Sequence, residues 1–131
     1  MPDLPLVARL RARMIVRCGV LALGLIPATA FAHAFLVRAV PAAGSVSATA
    51  PRVITLFYTE AIVPRFCHVR LDGPRGAVAL GPARAVPGTR RELRVVLPRL
   101  APGRYELSWQ AVSTDTHRTH GRFGFSIAPS P

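Results

Sequence analysis

The chain has no lysine, carries methionine only at Met1 and Met14, and has two cysteines, Cys18 and Cys67. Long apolar runs are missing too. Residues 18–26, "CGVLALGLI", fall far short of the roughly 20 residues a helix needs to cross a bilayer, which argues against a permanent anchor. After residue 32 no stretch holds a helical period for three turns, so a helical bundle is excluded. Repeats are absent, and the only biased segment is the Pro/Ser tail at 128–131, so a solenoid is excluded as well.

The first 32 residues read as a targeting segment. Arg9, Arg11, Arg13 and Arg17 precede the short apolar run, Pro27 breaks it, and Ala30-Phe31-Ala32 supplies the small-residue pattern of a secretory cleavage site. Cys18 follows an arginine and lies ahead of most of the apolar run, which is not how a lipid-anchored cysteine is placed. Cleavage after Ala32 leaves residues 33–131, a 99-residue chain of one domain that begins with His33. Export of this kind places it in the periplasm. Only Cys67 survives cleavage, so no internal disulfide can form even in an oxidising compartment.

The remaining charge is lopsided, with 13 arginines against five acids and a formal net charge of +8. Such a balance can serve nucleic acid or anionic membrane. Here the arginines are scattered, without a run or interleaved aromatics, and export separates the chain from nucleic acid. A solvated basic surface on a monomer is the reading adopted.

Short strands separated by Pro and Gly fill the rest. "AFLVRAV" (34–40), "RVITLFY" (52–58), "FCHVRL" (66–71), "ELRVVL" (92–97), "RYELSWQAV" (104–112) and "RFGFSI" (122–127) each read as extended. The clearest period of two sets Tyr105, Leu107, Trp109 and Ala111 against Arg104, Glu106, Ser108 and Gln110. About seven strands of this kind predict an all-β, antiparallel Greek-key β-sandwich, Ig-like or cupredoxin-like, with Trp109 at the centre of its core.

Two clusters carry possible chemistry. Asp115 and His117 stand two apart just after the Trp109 strand, and continued extension would project both from one face. His33, once it is the first residue, offers its α-amino nitrogen and its ring to a single metal. Together these residues give three nitrogens and one oxygen, the tetragonal set Cu(II) prefers. The same residues also fit a solvated loop and an incidental first residue, and spacing alone leaves both readings open.

The residues "HAFLVRAVPAAGS", "APRVITLFYTEAI" and "LAPGRYELSWQAVSTDTHRTHGRFGFSI", in that order, resemble the CopC family of periplasmic copper-resistance proteins across nearly the whole cleaved chain. The resemblance implies a β-sandwich holding one Cu(II) ion through the N-terminal histidine and the D-x-H pair, here His33, Asp115 and His117. It also implies a role in copper homeostasis, resistance or uptake beside a CopD-like inner-membrane partner. Some relatives add a methionine-rich Cu(I) site, for which this chain has no methionine after cleavage.

Other candidates follow from the pattern. Glu60 ends the "LFYTE" strand and is placed to accept a hydrogen bond from the His33 amine or a ring, as outer carboxylates do. Cys67 shares a strand face with Val69 and Leu71 and reads as a buried thiol. His120 and His68 read as solvated. Two rival functions remain: a copper monooxygenase with an N-terminal histidine, and a metal-free interaction module. The enzyme needs an open equatorial position, which an Asp115 carboxylate would fill.

Overall fold

Alternating apolar residues become strands wherever one face can be buried, and that face decides the architecture here. The computed structural model describes residues 33–131; the expected cleavage segment, residues 1–32, lies outside them. Among the described residues the strands are β1 (Leu36–Val40), β2 (Val46–Ser47), β3 (Val53–Tyr58), β4 (His68–Gly73), β5 (Gly76–Val78), β6 (Arg84–Ala85), β7 (Glu92–Val96), β8 (Gly103–Val112) and β9 (Arg118–Ile127). A single 3-10 turn at Pro64–Phe66 precedes β4.

One sheet has the order β1-β3-β7-β6 and the other β2-β9-β8-β4-β5. The chain passes between them repeatedly, as a Greek-key sandwich does. Between the sheets Ile54, Leu56, Leu71, Leu93, Val95, Leu107 and Phe125 are fully buried. The expected face of β8 is the inner one: Tyr105, Leu107, Trp109 and Ala111 are all buried. Cys67 is a free, buried thiol. Its Sγ donates to the Val63 carbonyl at 3.4 Å and accepts from the Val112 amide at 3.5 Å. Burial pushes this thiol's pKa up, against a smaller opposite pull from the Val112 hydrogen bond.

Three expectations need correction. The strands number nine among the described residues rather than about seven, because β2, β5 and β6 are only two or three residues long. The sandwich is not wholly antiparallel, since β2 pairs parallel to β9. Trp109 is not central either. It retains 9% exposure, packs edge-on against Tyr58 with ring centroids 5.5 Å apart, and lines a surface groove with His33, Phe35 and His120. Its cross-strand partner is Gly121. A Cβ at Gly121 would stand 2.8 Å from the indole Cζ2, so the glycine makes the room in which the indole lies.

Candidate metal centre

The site forms where the β8–β9 hairpin turn meets the segment leading into β1. β8 ends at Val112, and the backbone turns at once: Ser113 N–H donates to the His117 carbonyl at 3.0 Å and Thr116 N–H to the Ser113 carbonyl at 2.9 Å. Thr116 has φ +74°, a left-handed conformation that costs a non-glycine residue about 1 kcal/mol or more. Asp115 and His117 therefore do not share a face through extended geometry, as the spacing had suggested. They converge because the turn folds one onto the other.

The contact is close. His117 Nδ1 lies 2.9 Å from Asp115 Oδ2, and the His117 backbone N–H reaches Asp115 Oδ1 at 3.4 Å. Ser113, which is 1% exposed, donates its hydroxyl to Asp115 Oδ1 and approaches the His117 carbonyl at 3.2 Å. The Ser113 hydrogen bond, with further help from His117, holds the Asp115 carboxyl below the usual carboxylate range, against the opposing effect of desolvation. An ionised carboxylate can only accept, so a neutral His117 carries its proton on Nδ1 and keeps the Nε2 lone pair free.

His33 is brought to the same place by two threonines. Thr59, just past β3, donates its hydroxyl to the His33 carbonyl at 3.1 Å and accepts from the Phe35 N–H at 3.0 Å. Its own N–H donates to the Phe35 carbonyl at 2.8 Å. Thr119, on β9, donates its hydroxyl to the Ala34 carbonyl at 2.7 Å. Ala34 is buried between these anchors, and the His33 ring comes to rest 4.5 Å, centroid to centroid, from the ring of His117. Sequence reasoning missed Thr59, Thr119 and Ser113. A hydroxyl that binds backbone leaves no pattern by which to find it.

His117 is thus the shared member of two contacts, one with Asp115 and one with His33. Among the described residues no three His, Cys, Asp or Glu side chains already converge as a metal cage. In the 131-residue chain the His33 nitrogen is a peptide amide. The donor types fit a cupric ion: two imidazoles and a hard carboxylate oxygen, without sulfur. Glu60 sits beside the turn through its neighbour, for the Ala61 carbonyl accepts from the Thr114 N–H at 3.0 Å. Its side chain makes no hydrogen bond among the described residues. His68 and His120 are exposed on the outer face of the β2-containing sheet, and His120 lines a groove with His33.

Residues 36–128 match the CopC domain. The chain is 33% identical to Protein YobA of Escherichia coli K12 over 83% of its own length and 90% of that protein. It is 34% identical to the copper resistance protein C of Escherichia coli, over 86% of this chain and 98% of the relative. Among solved structures, CopC from Methylosinus trichosporium OB3b superposes with a TM-score of 0.71 at 28% identity, covering 76% of this chain and 97% of that one. A domain match over most of the described residues, relatives above 30% identity along nearly their whole length, and a shared sandwich together establish that this chain belongs to the CopC family.

Proposed function

We propose that the protein is an exported copper carrier that holds one Cu(II) ion at the end of the sandwich where His33 meets His117. The observation that carries this reading is the contact of these rings, 84 positions apart in sequence, at 4.5 Å, with Asp115 bonded to the second. After cleavage behind Ala32, the His33 amine and ring, the His117 ring and an Asp115 oxygen supply the donors. His33 then contributes two nitrogens from one residue, which favours binding because one positioned side chain brings both. Thr59 and Thr119 fix the segment that bears His33.

The protein carries and buffers the metal in the periplasm, in copper homeostasis or resistance, and passes it to or from a CopD-like membrane protein. No helix among the described residues is long and apolar enough to cross a membrane, so a partner of that kind would supply the passage. Binding rather than oxidative catalysis is supported by the carboxylate, which stabilises Cu(II) and takes a position that oxygen would need.

N-terminal sequencing and copper titration against a competing chelator test the reading together. The exported protein should start at His33 and bind one Cu(II), whereas protein retaining residues before His33 should bind it far more weakly. His117→Ala should weaken binding by more than about 100-fold, beyond the 10–100-fold that loss of an outer partner costs. Asp115→Ala should weaken it less. A start at another residue, or an unchanged affinity in His117→Ala, overturns the site.

A further inference from the structure

We infer that the outer face of the β2-containing sheet carries a second, weaker site for a divalent cation, built from His68 and His120 across Gln110. This site stands independently of the one proposed above. Registry aligns the three residues in one transverse row: His68 on β4 faces Gln110 on β8, and Gln110 faces His120 on β9. The buried neighbours Cys67, Trp109 and Ala111 turn inward, so by alternation all three row members turn outward. His68 and His120 are both exposed, and both line one groove of about 420 Å³.

Two strand spacings of about 4.8 Å separate the histidine backbones by roughly 10 Å. Two imidazoles leaning toward each other, each with a metal–nitrogen bond of about 2.0–2.1 Å, bridge that span over the middle strand. Imidazole suits Cu(II) and Zn(II), and the Gln110 amide oxygen and water are available for the remaining positions. The next row of the groove, Arg70-Ser108-Arg122, does not oppose a cation with bare charge. Arg70 is bonded to both oxygens of Asp72 at 2.8 Å, and Arg122 lies 3.8 Å from Glu106. His120 also lines the groove shared with His33 and Trp109, so the second site adjoins the first along β9.

The decisive experiment adds Cu(II) past one equivalent to the untagged, cleaved protein and follows it by electron paramagnetic resonance. A second signal with imidazole nitrogen couplings should appear, weaker in affinity than the first by at least about 100-fold, since two side-chain donors replace four. His68→Ala and His120→Ala should each weaken the second binding more than about 10-fold and leave the first unchanged. His117→Ala should do the reverse, so loss of one site is told apart from loss of the other. Zn(II) added alone to the His117→Ala protein should protect the same two rings, read as shifts of their imidazole resonances. The inference is overturned if the second equivalent survives in the His68→Ala/His120→Ala double variant. It is equally overturned if no second equivalent binds below about 1 mM, the range of adventitious association. Both positions are exposed, and an unchanged circular dichroism spectrum confirms that the variants fold.

Discussion

Thr59 holds His33 by its carbonyl and Phe35 by its N–H with one hydroxyl, at 3.1 and 3.0 Å. His33 is therefore positioned through its backbone, by a hydroxyl that leaves the ring untouched. Thr59→Val keeps the shape and removes both hydrogen bonds. It should weaken Cu(II) binding about 10–100-fold, as outer-sphere losses do, with the fold retained. Chelator competition reads the affinity, and the spectrum of the bound ion should keep its nitrogen couplings. An affinity equal to wild type would mean that His33 finds its place without the threonine.

Oxidation state should control release. The proposed donors are nitrogen and carboxylate oxygen, and Cys67 is buried and hydrogen-bonded within the core. Among the described residues no soft cluster is left for Cu(I). Reduction with ascorbate should transfer the metal to a Cu(I) chelator, and acid should release Cu(II) as protons compete for its ligands. Sulfur in the X-ray absorption spectrum of a reduced, still-loaded protein would make Cys67 a ligand.

The Tyr58 hydroxyl is buried without a hydrogen-bond partner. Burial raises its pKa, helped by the nearby Cys67 thiol, and burial also raises that of Cys67. Both groups bind their protons more tightly folded than unfolded, so stability is fully present below the unfolded values, near 8.5 for a thiol and 10 for a phenol. It should fall as pH rises above them. Tyr58→Phe should flatten the fall above about pH 10. At neutral pH it should be neutral or stabilising by about 1 kcal/mol, because an unsatisfied buried hydroxyl is removed. Urea unfolding at pH 7 and at alkaline pH measures both effects.

Gly121 tests the packing beside the centre. A methyl there would meet the indole of Trp109 at 2.8–3.0 Å, and the ring also packs edge-on against Tyr58. Gly121→Ala should destabilise the domain by about 1–3 kcal/mol, the usual cost of overpacking. Trp109 is the sole tryptophan, so its fluorescence reports the unfolding directly. A variant as stable as wild type, with unshifted emission, would show that the indole can move aside freely.

The strands that the sequence announced are those long enough to show a period. β8 spans ten residues, and its inner face was readable at every position from Tyr105 to Ala111. β2 is two residues of no periodicity, and its parallel alignment with β9 is imposed by distant topology. At the centre, the meeting of Asp115 and His117 was legible but its cause was not. Spacing suggested extension, whereas the chain turns at Ser113 and takes φ +74° at Thr116, a choice stabilised by hydrogen bonds that only the folded hairpin contains. The family landmarks held Ser113 within "AVSTDTH", yet nothing in the string said that its hydroxyl would fix a carboxylate.

The strip at 33–35 is fastened to both layers: to the end of β3 through Thr59 and to β9 through Thr119. An ion bound there, as proposed, would act as a clasp on the whole fold. A ligand that binds only the native state, at a thousand times its Kd, adds about 4.1 kcal/mol of stability. The empty carrier would then be the form that opens and is cleared by proteases, while the loaded one persists. Abundance of the protein would follow copper supply without any change in its synthesis.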